Sequence, residues 1–525
     1  MKKLLALLLA AAMTLSMAAC GSSSSADASA AAEGSTAAAS AEETATGSEN
    51  SGRTDLVIAV DTDYETLHPV NTSMSIETNL VNQIYDTLAI DNPDDPTGDM
   101  IPRIAESWEV SEDGLCYTFH LRQGVKFHNG TELTAEDIGF SLDLCAASEY
   151  QGTMVDGMDH WEIVDDYTIN VYTATPYAPF LRSVVDVPIG CKSYYESVDE
   201  DTFSQQPIGC GPYQFVSHSE GTSFVLKAFD DYYGGAPAIK DVTFKVIADV
   251  ASMSIGLQGH QIDFAEVDAS VLSTLEAAEG VNITTADATT FGFIAMNTQV
   301  EPYSNVAFRQ AVNYAIDRDA LITAYLEGQG TANSNLLTPD REGYSESQTQ
   351  YTYDPEKAKE LLAECGYADG FDAGTFIVAE QYKLMAQIVQ ADLAAVGITC
   401  ELEILEFNAY LDKLMDGDFG MTCLQMALEG DTQQVSLALT ADYIGMANNA
   451  RWSDERVETL FQQAVETVDE DERNAIYEEI FTIVQDEAVY CVLYNPTMLF
   501  ASQEGLTTGT IALEGYYYLQ NFSWN

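Results

Sequence analysis

Hydrophobic positions along the chain fall into two unlike regimes separated by a polar gap. An apolar run from Leu4 to about Leu15 opens the sequence, and apolar periodicity resumes only at Leu56-Val57-Ile58. From there the alternation is that of strands and helices in turn. Leu56 to Val60 reads as a short strand. Trp108 to Glu112, a turn at Asp113-Gly114, and the alternating Cys116 to Leu121 read as a hairpin. A second hairpin runs Glu162-Ile163-Val164, turns at Asp165-Asp166 and returns through Tyr167 to Tyr172. Val242, Phe244 and Val246 mark a half-buried strand. Thr134, with Asp137 three residues on, starts a helix that buries Ile138, Ser141, Leu142 and Cys145.

The second half is more helical. Phe308, Ala311, Val312, Ala315 and Ile316 form an amphipathic stripe. Asp354-Pro355 starts a helix stopped by Gly366, and Leu384 to Val396 forms one closed by Gly397. Ser453 is the expected cap of a long helix carrying Val457, Leu460, Phe461, Ala464, Val465 and Val468, and Ile476, Ile480, Ile483 and Val484 line a last one. Strands between helices predict an α/β fold. About 470 residues follow Gly52, more than one core usually holds, so two lobes are expected. No fixed-period repeat is present.

The opening run is too short to span a bilayer and, after Lys2 and Lys3, reads as an export signal over residues 1–19. Ala18-Ala19-Cys20 resembles the lipobox of bacterial lipoproteins, with Met17 where leucine is usual. The resemblance implies cleavage before Cys20 and lipidation of that residue. Residues 20–52 are almost wholly Ser, Ala, Gly, Thr and Glu, a composition that cannot bury enough apolar area to fold, so they are expected to be a flexible leash. The body would then stand off the outer face of the cytoplasmic membrane.

Charge narrows the partners. A formal net charge of −62, from 21 bases and 83 acids, excludes nucleic acid, because phosphate binding needs clustered Lys and Arg. Spread along the chain, its default meaning is solubility. Beyond Cys20 the cysteines (Cys116, Cys145, Cys191, Cys210, Cys365, Cys400, Cys423 and Cys491) show no zinc-like spacing and read as free buried thiols. H-E-x-x-H, G-x-S-x-G and G-x-x-x-x-G-K are all missing. Gly328-Gln329-Gly330 and Gly209-Cys210-Gly211 both fail the dinucleotide fingerprint at the third glycine. No cofactor or metal is called for, and nothing speaks positively for an enzyme.

Five segments carry a resemblance. Ala105-Glu106-Ser107-Trp108 with Ser111 to Gly114 leads into Leu121-Arg122-Gln123-Gly124-Val125-Lys126-Phe127-His128-Asn129-Gly130 and Leu133 to Asp137. Pro207-Ile208-Gly209-Cys210-Gly211-Pro212-Tyr213 follows, then Phe308-Arg309-Gln310-Ala311-Val312-Asn313-Tyr314-Ala315-Ile316-Asp317-Arg318, then Tyr353 to Leu362. In this order they resemble the family 5 extracellular solute-binding proteins of ABC importers, which take dipeptides, oligopeptides and nickel. Cys210 stands where that family has Thr or Ser.

The resemblance implies a two-lobed periplasmic-binding-protein-like fold with a hinge and an interlobe ligand cleft. Lobe I would be 53–296 plus 497–525, with an inserted subdomain at about 91–205, and lobe II 297–496. It implies a monomer that captures a peptide and passes it to ABC permease subunits. In the family's peptide binders an aspartate in the second lobe pairs with the peptide ammonium. Asp431, after the strand-like Thr422 to Leu428, is the candidate, although Thr432-Gln433-Gln434 replaces the family's following run and a solvated loop acid is the alternative. Thr72, Ser73 and Met74 lie in the loop after the first strand, where the family often touches ligand. Asn449, Arg451 and Trp452 form a polar-aromatic cluster suited to a ligand carboxylate and a side-chain floor, and Tyr494 stands near the hinge. The alternatives are the same fold holding a nickel chelate, a sugar or another small solute, and an exported hydrolase or adhesion lipoprotein.

Overall fold

A computed structural model describes residues 52–92, 100–339, 341–427, 432–512 and 515–525. The expected signal, Cys20, the leash and Asp431 lie outside the described residues. No helix among those described is long and apolar enough to cross a membrane.

One strand organises the molecule. Tyr490–Gln503 is 14 residues long and belongs to two packing systems. Its first part pairs antiparallel with Thr290–Met296, from Tyr490↔Ala295 to Tyr494↔Gly292. Its second part pairs antiparallel with Val281–Asp287 and with Phe264–Val267. Through it a single sheet of 12 strands runs from Ile398–Leu405, Phe371–Ala379, Met421–Ala427 and Thr290–Met296 across to Phe264–Val267, Asp55–Val60, Asp241–Val246, Ser223–Ala228 and Tyr213–Ser219.

The apolar cores divide where the strand changes partners. One cluster draws every member from Phe291 to Tyr494. The other three draw theirs from residues 56–275 and 499–522. Residues 287–290 and 495–497 therefore connect bodies that each keep their own apolar interior. Within the first body a separate four-stranded antiparallel sheet, in the order Ala105–Val110, Cys116–Leu121, Thr168–Thr173, Met158–Asp165, packs against the helix Ala135–Ala146. Its two inner strands alternate buried and half-buried positions, as their sequence alternation requires.

The recognisable motifs turn out to be joints. His128 donates its backbone N–H to Gly209 O (2.8 Å), and its imidazole lies between Gly211 O (3.0 Å) and Gly209 N–H (3.3 Å). Two motifs some eighty residues apart thus meet at one ring. A Cβ at position 211 would fall 2.5 Å from Tyr85 O, so only glycine permits this approach. Arg309 and Arg318 are buried and spend their N–H groups on main-chain carbonyls. Arg309 holds Tyr303 O, Ser304 O, Glu487 O and Ala488 O, whereas Arg318 holds Asn313 O, Asn333 O, Tyr351 O and Val492 O.

Helix starts follow the sequence with one correction. Asp354 caps Pro355–Glu364 by accepting from Lys357 N–H (2.9 Å), as expected. The long helix Glu455–Glu466 is capped by Asp454, not Ser453, because the Asp454 carboxylate accepts from both Arg456 and Val457 N–H. That helix ends before Val468, which leaves the apolar stripe and is 46% exposed. The eight cysteines from Cys116 to Cys491 are all free thiols; five are buried as expected, whereas Cys116, Cys365 and Cys400 are only half-buried.

Candidate functional site

In sheets of this kind ligands gather beyond strand ends, where two bodies face one another. The loop after Asp55–Val60 is one such place. Glu77, fully buried in the helix Ser75–Ile84, accepts backbone N–H groups from Glu65 (3.0 Å), Thr66 (3.0 Å), Ser73 (2.8 Å) and Met74 (3.2 Å). This carboxylate fixes the loop that carries Thr72, Ser73 and Met74. Thr72 is buried, its hydroxyl accepting from Gln151 Nε2 (3.3 Å), while Ser73 is exposed and Met74 half-exposed. Sequence alone gives Glu77 no distinction from the other acids of the chain. Its one signal is the position three residues after the N-cap, the second half of a capping box.

Opposite, Met421–Ala427 pairs with Thr290–Met296 so that Ala427 lies beside Thr290 at the crossing. Its last three residues are half-exposed, and the chain continues from them towards position 431. The crossing itself is pinned by Asn495, whose Nδ2 donates to Thr290 O (3.0 Å) and whose Oδ1 accepts from Asn333 Nδ2 (2.8 Å). Asn333 and Asn495 carry no pattern that sequence reading could have singled out.

Tyr494 is fully buried. Its hydroxyl accepts from Gln425 Nε2 (2.9 Å) and lies 3.5 Å from Met385 Sδ, and its ring occupies the space left by Gly292. Asn449, Arg451 and Trp452 come together, but at the far end of the same strands. Ala450 O accepts from Thr298, just beyond Met296, whereas the crossing is at Thr290. Six residues of strand put about 20 Å between the two ends. Arg451 has φ 52°, and its guanidinium donates to Met415 O (3.1 Å) and Gln299 Oε1 (3.3 Å). Trp452 is buried in the second body's core, and Asn449 is buried with neither amide atom paired among the described residues. The structure does not gather this cluster with Thr72–Met74.

Two carboxylates stand out by environment. Glu266, third residue of Phe264–Val267, is open to water yet walled by protein. That burial, and then Asp61 beside it, raises its pKa to about 7. Asp186 is likewise exposed in a recess, and burial followed by the charge of Asp91 raises it to about 7. Burial disfavours the ionised carboxylate, so each of these groups keeps its proton to a higher pH than an ordinary carboxyl. His218 pairs with Asp63 (2.8 Å), and among the described residues neither serine nor cysteine is hydrogen-bonded to the ring. Among the described residues no group of three or more His, Cys, Asp or Glu could hold a metal.

The family model described as "Bacterial extracellular solute-binding proteins, family 5 Middle" matches residues 99–441. The chain belongs to this family. It is 29% identical over 465 residues to the dipeptide-binding protein of Escherichia coli K12, covering 81% of this chain and 86% of that protein. It is 30% identical over 427 residues to the heme-binding protein A of Haemophilus influenzae, covering 74% and 78%. The structure of HbpA2 from Haemophilus parasuis superposes with a TM-score of 0.82 at 26% identity, covering 90% of this chain and 100% of that one. The protein is a solute-binding component of the ABC-importer type, and its fold is the mixed α/β periplasmic-binding architecture.

Proposed function

We propose that this solute-binding protein captures short peptides between its two bodies and hands them, unchanged, to an ABC permease. It does so while tethered through a lipid on Cys20 and the leash over residues 20–52. The observation that carries the reading is the division of cores: the apolar cluster of the second body shares no member with the three of the first, and the chain passes between the bodies at 287–290 and 495–497. Short connections between separately stabilised bodies permit hinge closure, and a ligand touching both bodies would favour the closed form. We place the lobe boundaries at those connections, so that Phe291–Met296 moves with the second lobe.

A peptide ligand is supported by the likeness to the E. coli dipeptide-binding protein. Asp431 is the proposed ammonium partner, four residues beyond the strand that ends at the crossing. Thr72, Ser73 and Met74 present the opposing wall on a loop frozen by Glu77. Asn449, Arg451, Trp452 and Tyr494 serve the frame. The heme-binding relative favours a second reading, a larger apolar ligand in the same cleft. Isothermal titration of a dipeptide library separates them. Asp431→Asn should weaken free-amine peptides at least tenfold and leave N-acetylated ones unchanged. Equal losses on both refute the ammonium role, and heme binding with no peptide binding refutes the peptide reading.

A further inference from the structure

Val468 is an apolar side chain that the helix stripe promised to a core and the fold leaves half in water. What it meets belongs to the other body. A Cβ on Gly114, at the tip of the hairpin Ala105–Val110/Cys116–Leu121, would lie 3.0 Å from Val468 Cγ2 and 3.6 Å from Pro176 Cβ. Gly114 has φ +68°, so glycine serves both the turn and the closeness of this contact. Beside it, Ala178 donates its backbone N–H to Val465 O at 2.8 Å, a main-chain bond from the four-stranded subdomain of the first body to the second.

Both sides of this contact are braced from behind. Tyr117 Oη donates to Tyr177 O (3.3 Å), and Ala174 N–H donates to Gly157 O (3.2 Å), fixing the segment 174–178. On the other side Arg473, paired with Glu342 at 2.8 Å, donates to Thr467 O (3.5 Å) and Val468 O (3.4 Å). None of these groups belongs to the loops proposed to hold ligand.

We infer that Gly114, Pro176 and Ala178 against Val465 and Val468 form a latch that biases the two bodies towards closure before any ligand arrives. The inference rests on the two-lobe reading. Its consequence is a basal closed population that a ligand need only enlarge, so that binding is tighter than in a trap whose rim does not touch.

The test uses the purified full chain without ligand, as wild type and as Val468→Asp, which sets a carboxylate against Gly114 and Pro176 while disturbing no core. Hydrogen exchange reads the Ala178 amide, small-angle scattering the radius of gyration, and calorimetry confirms that the variant is folded. The expected result is an Ala178 amide exchanging about tenfold faster in Val468→Asp, together with a larger radius of gyration. Equal Ala178 exchange in the two proteins overturns the latch, and leaves the two-lobe reading to stand or fall by whether a bound dipeptide compacts the wild type. Faster exchange with an unchanged radius overturns both, because the contact would then join bodies that do not move.

Discussion

Replacing Gly292 by alanine should destabilise the second body through one buried ring. Gly292 sits where the register of Thr290–Met296 against Tyr490–Gln503 shifts, and a Cβ there would lie 2.6 Å from the Tyr494 hydroxyl oxygen and closer still to the ring carbons. The ring cannot retreat into solvent, because Tyr494 is fully buried against Tyr325 with its hydroxyl held by Gln425. Overpacking of this kind costs about 1–3 kcal/mol, and displacing the hydroxyl from its partner adds about 1 kcal/mol. A total of about 2–4 kcal/mol in a body of roughly 200 residues lowers the midpoint of unfolding by roughly 5–15 °C.

Differential scanning calorimetry of the full chain reads that shift, and a double-mutant cycle with Tyr494→Ala assigns it. With the ring removed, the added methyl enters empty space and should be neutral or slightly stabilising, so the coupling should reach at least about 2 kcal/mol. A Gly292→Ala loss below about 0.5 kcal/mol, or the same loss with and without the ring, refutes the argument that Tyr494 is a framework residue packed on a missing Cβ.

Arg318→Lys should cost about 1–3 kcal/mol by guanidinium denaturation, since an ammonium with three donors leaves at least one of the four carbonyls of Asn313, Asn333, Tyr351 and Val492 without a partner. Glu266 predicts a pH effect of definite sign. Its pKa rises from the ordinary 4.5 to about 7 in the fold, so the folded state holds a proton that the unfolded chain releases, and its contribution to stability falls as pH rises from about 4.5 to 7. Thermal midpoints of wild type minus Glu266→Gln should decline across that window and level off above it, and a flat difference would show that the recess does not perturb this carboxylate.

Much of the fold was legible because its signals are local. The hairpin at Asp113-Gly114, the Asp354-Pro355 helix start and the alternation of Cys116–Leu121 depend on residues a few positions apart, and each lies where the pattern placed it. The Ser453 cap failed by one residue because Ser-Asp offers two acceptors in sequence, and only backbone geometry selects Asp454. Val468 failed differently. Helical spacing continued through it while the chain turned away at Thr467. The ligand-facing side of the molecule was the least legible. Whether Arg451 points at a cleft or at Met415 O depends on the pairing of Met421–Ala427 with Thr290–Met296, a strand more than a hundred residues earlier in the chain.

That difference also explains why the motifs name the family and stay silent on the ligand. His128 with Gly209 and Gly211, and Arg309 with Arg318, spend their hydrogen-bonding capacity on the protein's own groups, chiefly main-chain ones. A residue so used cannot change without unfolding a joint, whatever solute the protein carries, and it has no donor left to offer one. The chain has 21 basic residues, and it keeps Arg309 and Arg318 buried, tying loops to the start of the strand that crosses between the bodies. On the proposed reading, solute preference belongs to the loop Thr72–Met74 and the run that follows Ala427. Exchanging that run with the corresponding segment of a relative would change the ligand while leaving the frame intact.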